Sequence, residues 1–141
     1  MISEQLATAL QAAGLHWKPA AGDRFVIPVE GLDGELFTLS EMTIEAREYA
    51  TGTILGFNGT TEWALDSVAK DDALWMPRED QLRSLLGATF VALRRHDDGT
   101  WVVTTRSSGG EVSEVAADRP EDAYGNALLA LLELAVEDVE R

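Results

Sequence analysis

The segment from Pro77 to Gly87 carries the clearest secondary-structure signal in the chain. Proline suits the first turn of a helix because it has no N–H to leave unpaired, and glycine after the last turn can take the positive φ that ends one. Between them, Leu82, Leu85 and Leu86 recur at helical spacing. The sequence therefore predicts a helix in the middle of the chain, and this helix separates two regions with strand character.

A second, shorter central helix is predicted just before it. Thr60 or Thr61 can cap its first turn, Glu62 suits the positive end of the helix dipole, and apolar residues follow at helical spacing as far as Val68. The apolar run Leu74, Trp75 and Met76 is predicted to be a plug between the two central helices.

Strand segments are predicted on both sides of these helices. Apolar alternation and turn residues place those on the N-terminal side at 24–29, 36–42, 44–49 and 53–57, and those on the C-terminal side at 89–95, 100–106 and 111–117. The segments 36–42 and 44–49 are either joined tightly or form one long bent strand. Asp98 and Gly99 lie between two β-branched runs, which is typical of a hairpin turn.

Two terminal helices complete the pattern. Ser3 is predicted to cap the first, over 3–13, and the last runs from about 119 to 140. Its apolar stripe is Tyr124, Leu128, Leu131, Ala135 and Val139. The sequence thus predicts one α+β domain over residues 1–141, with antiparallel meanders in one or two sheets, helices packed on one face, and the order α-βββ-αα-βββ-α.

Composition limits the partners and the cellular compartment. The formal net charge of −14 opposes binding to nucleic acid and to anionic membranes, and is compatible either with a solvated acidic surface or with a basic partner. No apolar run approaches the length of a membrane span. The chain has no cysteine, which excludes disulfides and thiolate metal sites, and its first residues lack a basic secretory signal. We therefore expect a cytoplasmic protein.

The residues offer little for catalysis or cofactor chemistry. The chain has two histidines, His16 and His96, and the cluster of His96 with Asp97 and Asp98 has the composition of a polar turn as much as that of a metal site. The adjacent acid pairs all fall at turns or in first helical turns, where acids are favoured anyway. We expect no metal, no cofactor and no catalytic residues.

The loop from Gly56 to Trp63 is the candidate ligand site. Asn58, Thr60 and Thr61 lie where a glycine-containing loop enters a helix, so backbone amides there could bind an anion. The loop lacks the lysine and the spacing of a phosphate-binding P-loop. A threonine-capped turn explains the same residues equally well.

Three aromatic residues are candidates for an interface. Trp17, Trp75 and Tyr124 could present large rings to a protein partner, since aromatic residues are enriched at binding hot spots. The alternative is that these rings anchor the hydrophobic core.

Four strings resemble a family of small bacterial proteins, mostly from high-GC Gram-positive bacteria. They are GDRFVIP, LGFNGTTEWALDSV, ALWMPREDQLRSLLG and EDAYGNALLALLE. The family is uncharacterised, and some members carry the label "pilus assembly protein", a name shared with a ParA-like ATPase. This chain has no Walker motif and is too short for that ATPase fold, so the label does not imply an activity. The resemblance to the family implies no catalytic residues. The order of elements is also similar to that of type III secretion chaperones, which are homodimers that bind partner chains.

These observations favour a non-enzymatic protein-binding, adaptor or chaperone-like domain that has a protein partner and forms a homodimer. Two alternatives stay open. One is a small ligand-binding protein or enzyme that uses the Gly56–Trp63 loop. The other is an acidic inhibitor of a basic partner, which the charge alone supports.

Overall fold

The computed structural model describes residues 1–29, 31, 34–39, 44–49, 52–57, 67–69 and 72–140. Side chains are described for all of these except 44–49, 52–57, 67–69 and 136–140. Within these residues the fold is α+β, with every strand pair antiparallel, as predicted. The strands form three three-stranded sheets.

Contacts divide the chain into two compact units: residues 17–76 form one, and residues 1–16 together with 77–141 form the other. We call them the middle unit and the terminal unit. The single domain expected from the sequence stays a prediction, and each unit is described by itself.

The middle unit contains two of the sheets. The first joins β1 (Arg24–Val26), β2 (Leu36–Thr38) and β6 (Leu74–Trp75). The second joins β3 (Ile44–Tyr49), β4 (Gly52–Phe57) and β5 (Ser67–Ala69).

Two features of the middle unit differ from the prediction. Val68, expected at the end of a helix, instead pairs with Leu55 in a strand, and most of that expected helix lies outside the described residues. Leu74 and Trp75, expected in a plug between helices, form β6 because Trp75 pairs with Phe25. That pairing joins residues far apart in sequence, which no local pattern reveals.

The terminal unit contains three helices and one sheet. Helix α1 (Glu4–Ala12) is followed along the chain by α2 (Glu79–Leu86), then by β7 (Phe90–Arg95), β8 (Trp101–Arg106) and β9 (Val112–Ala117), and finally by α3 (Pro120–Glu140). Ser3 caps α1 as predicted, because its side-chain oxygen accepts a hydrogen bond from the amide of Leu6 at 3.2 Å. The predicted Asp98–Gly99 hairpin joins β7 to β8.

Helix α3 holds the terminal unit together. It packs against α1, α2, β8 and β9. Gly125 lets α1 approach closely: a Cβ atom at this position would lie 2.6 Å from a methyl carbon of Leu6 and 3.1 Å from one of Ile2. On another side of α3, the ring of Tyr124 lies 5.6 Å from that of Phe90 in β7, measured between centroids. The core of the terminal unit therefore forms around the first half of α3.

Candidate functional site

The two faces of the terminal sheet can be assigned from its register. Phe90 pairs with Thr105 and contacts Tyr124, so the face of β8 that carries Thr105 and Val103 looks toward α3. Val103 is completely buried there. Residues of the opposite face include Arg94 and Glu114, whose ion pair of 2.8 Å crosses β8 and covers Val102 and Thr104. Both faces of the central strand β8 are thus accounted for, which leaves the two edges of the sheet.

The edge formed by β7 is protected against further pairing. Its ladder is interrupted at Val91, where a β-bulge shifts the register, and it ends in Arg94 and Arg95. Bulges and basic residues are common ways in which proteins keep an edge strand from pairing with another chain.

The edge formed by β9 has neither protection. Its six residues pair with β8 in continuous register, and they include no proline and no basic residue. No described backbone group outside the strand pairs with its outer side. Its first residue, Val112, is 53% exposed.

The direction of the free backbone groups follows from the hairpin turn. The amide of Ser107 donates to the carbonyl of Glu111 at 2.8 Å, so this opposed pair is a hydrogen-bonded one. Hydrogen-bonded and non-hydrogen-bonded pairs alternate along an antiparallel ladder. The backbone groups of Val112, Glu114 and Ala116 therefore point away from β8, toward the open edge.

A second exposed feature lies on α3. The buried face of this helix carries Ala123, Tyr124, Ala127 and Leu128. At helical spacing the same face continues to Leu131 and Leu134. Leu131 is only half-buried, and Leu134 is 56% exposed, the highest value among the exposed large apolar residues.

We call β9 together with Leu131 and Leu134 the edge surface. It combines backbone groups that have no partner among the described residues with leucines from the face of α3 that is buried earlier in the helix. Such a combination suits a protein segment that adds a strand to the sheet.

The predicted interface residues lie elsewhere. Trp17 is 5% exposed, and its ring is tilted against Phe25 at 5.4 Å and stacked on Trp75 at 6.5 Å. Tyr124 is 2% exposed. Trp75 is partly exposed, but its indole nitrogen is buried and has no hydrogen-bond partner among the residues that the structure describes. The interface role stays a prediction for all three, and the structure gives Trp17 and Tyr124 a place in the cores of their units.

The predicted ligand-binding residues cannot be placed. Asn58, Thr60 and Thr61 lie outside the described residues, as does most of the Gly56–Trp63 loop. In the part of the chain that is described, no three histidine, aspartate or glutamate side chains are grouped to hold a metal ion. Nor does any described helix combine the length and apolarity needed to cross a membrane.

The cluster at His96 has a structural explanation. Asp98 accepts hydrogen bonds from the hydroxyl of Thr100 at 2.7 Å and from its amide at 2.9 Å. These bonds lower the pKa of Asp98, the hydroxyl contributing most. The carboxylate thus shapes the hairpin turn, with Gly99 at φ 91°.

Tyr124 provides a pH-dependent test of the terminal core. Burial raises the pKa of Tyr124 above its usual value near 10.0, the charge of Glu79 adds to the rise, and Arg83 opposes it. The folded state therefore holds this proton more tightly than the unfolded state. The stabilisation is complete below pH about 10 and is lost as the pH rises through the folded pKa, by up to about 1.4 kcal/mol per pH unit.

We expect Tyr124→Phe to lose less stability than the wild type as the pH rises above about 10. Urea unfolding at a series of alkaline pH values measures the two slopes. Tyr49 is present in both proteins, so its contribution to the pH dependence of stability cancels in the comparison. Parallel slopes would show that Tyr124 titrates normally.

Three comparisons with known proteins returned no match: a scan against protein-family models, a search of curated proteins and a search of solved structures. The resemblances drawn from the sequence therefore remain hypotheses, and the edge surface has to be interpreted from its own chemistry.

Leu131 belongs to the predicted apolar stripe of α3. Leu134 and the open edge of β9 were not predicted from the sequence. The absence of proline, lysine and arginine from residues 112–117 is a signal that could have indicated an unprotected edge. The exposure of Leu134 has no comparable signal, because it depends on where the packing partners of α3 end.

Proposed function

We propose that this chain is a non-enzymatic protein-binding domain, and that its partner docks on the edge surface by adding a strand beside β9. The observation that carries the proposal is the continuation of the buried face of α3 into exposed Leu134. A strand added to the sheet would lie on the side of β9 where no described strand pairs, and could cover these leucines.

The energetics favour a protein over a small molecule as the occupant. The outward groups of Val112, Glu114 and Ala116 are spaced along an extended strand, so an occupant must offer donors and acceptors at the same repeat. A polypeptide strand does so with its backbone. Covering one exposed leucine contributes about 1.5–3 kcal/mol at most.

A cytoplasmic location belongs to this proposal, and the cysteine-free sequence supports it. The expectation that this chain is not an enzyme likewise remains part of the proposal.

Site-specific photo-crosslinking tests the proposed function. A photoreactive amino acid is placed at Leu134 or Ala116, and at the exposed Gln11 of α1 as a control, in cells that naturally make the protein. We expect discrete protein adducts, whether with another protein or with a second copy, from the first two positions only. The proposal fails if those positions give no adduct, or if Gln11 gives the same pattern.

A further inference from the structure

We propose that the strand that occupies the edge surface is β9 of a second copy of the chain, so that two terminal sheets join into one antiparallel sheet of six strands. This inference rests on the proposed function and names the partner. Three properties of the described residues support it: the geometry of α3, the charge of β9 and the self-complementary backbone.

The backbone of β9 matches a copy of itself. In an antiparallel pair related by a two-fold axis, each strand offers the same alternation of donors and acceptors to the other. Val112, Glu114 and Ala116 provide outward groups along the whole strand, in a ladder without a bulge. No change of backbone conformation is needed for two such edges to pair.

The position of α3 fits the same arrangement. A two-fold axis perpendicular to the joined sheet places both copies of α3 on one face. Each α3 lies against β8 and β9, so the two helices come about two strand spacings apart, or roughly 9–10 Å. Packed helices are about 8–10 Å apart. Joining the sheets therefore brings the exposed leucines of the two copies close to each other or to the partner strand.

Charge favours a copy of β9 over a basic segment as the occupant. The whole chain carries −14 charges, but β9 contains a single ionisable side chain, Glu114. Its carboxylate already pairs with Arg94 of the same sheet at 2.8 Å. The edge thus offers little unpaired negative charge to attract a cation, whereas Val112, Val115 and Ala116 suit a neutral, apolar strand.

The expected dimer is weak. An interface of one strand pair and a few leucines falls below about 1,200 Å², the lower limit of standard stable interfaces, and the net charge of each copy opposes association. We expect a dissociation constant on the order of 10 µM or higher, and tighter association as salt is added. A basic partner would show the opposite dependence on salt.

Sedimentation of the purified chain over a wide concentration range tests the inference. We expect a reversible monomer–dimer equilibrium that Ala116→Lys and Ala116→Pro each weaken by about tenfold or more. The lysine places a charge beside the edge and leaves the backbone intact. The proline removes an amide that points outward, so the hydrogen bonds between β8 and β9 remain.

Leu134→Glu is expected to weaken the dimer to a similar extent. Gln11→Glu is its matched control, since it adds the same charge at an exposed position of α1 and should leave the dissociation constant within about twofold. Circular dichroism and urea unfolding confirm that each variant is folded.

Hydrogen exchange provides a readout at single amides. With rising concentration, we expect protection to increase at the amides of Val112, Glu114 and Ala116. The amides of Ser113, Val115 and Ala117 point toward β8, so their protection should change little.

A purified chain that stays monomeric at every concentration would overturn the inference, and so would a dimer that the folded variants at Ala116 and Leu134 leave unchanged. If the chain is monomeric while crosslinking at Leu134 still captures another protein, the inference fails and the proposed function stands. If crosslinking fails as well, both are wrong.

Discussion

Replacement of Asp23 by alanine is expected to destabilise the middle unit by about 3 kcal/mol or more. Asp23 is 3% exposed, and one of its carboxylate oxygens accepts hydrogen bonds from the indole of Trp17 and from the amide of Ala20, both at 2.9 Å. Alanine would leave the indole donor buried without this acceptor. Each buried donor left unpaired costs about 1–3 kcal/mol, and the loss of a charged acceptor adds to that.

The stacked pair of Trp17 and Trp75 gives this prediction a local readout. Indole rings with planes at 9° and centroids 6.5 Å apart interact in circular dichroism, so the signal of the pair reports on the middle unit. We expect its loss at a lower urea concentration in Asp23→Ala. Asp23→Asn is the control, because it keeps a neutral acceptor and should cost about 1 kcal/mol. Equal stability of the alanine variant and the wild type would contradict the role of Asp23.

Tyr124→Ala is expected to have the largest effect in the terminal unit, about 3–5 kcal/mol. The ring is 2% exposed and contacts the ring of Phe90. The guanidinium of Arg83 also lies over the Phe90 ring, 4.6 Å from its centroid. Removing a large buried side chain loses its burial and leaves a cavity that the surrounding residues fill only in part. Urea unfolding followed by far-ultraviolet circular dichroism measures the loss of helix.

Leu134→Ala is the matched control, on the same face of the same helix. Because Leu134 is mostly exposed in a single copy, we expect it to cost less than about 1 kcal/mol at a concentration where the chain is monomeric. A cost as large as that of Tyr124→Ala would mean that Leu134 is buried in the folded chain, and would remove the basis of the edge surface.

Local patterns predicted the terminal unit well. The helix over Glu79–Leu86, the hairpin at Asp98–Gly99 and the strand over Val112–Ala117 all lie close to their predicted positions. Each is set by residues within a few positions of one another: a proline and a glycine around a leucine stripe, a turn dipeptide between β-branched runs, an alternation of period two. Such signals need no knowledge of the rest of the fold.

The middle unit was harder to predict. Trp75 is in a strand because it pairs with Phe25, and Val68 because it pairs with Leu55. The hydrogen bond from Trp17 to Asp23 also depends on how the chain folds back between them. In each case the decisive partner is set by how the chain folds back on itself, which the periodicity of neighbouring residues does not specify.

The sequence by itself determined the α+β class, the caps and turns of the terminal unit, and the apolar stripe of α3, because these depend on spacing along the chain. Only the tertiary structure decided that Trp17 and Tyr124 are core residues and that Leu134 is exposed. It also decided that the backbone of Ala116 points outward. The exposure of a side chain and the pairing of a strand's outer backbone groups depend on where the neighbouring elements end. No described strand pairs with the outer side of β9, so one more strand could pair there and cover Leu134.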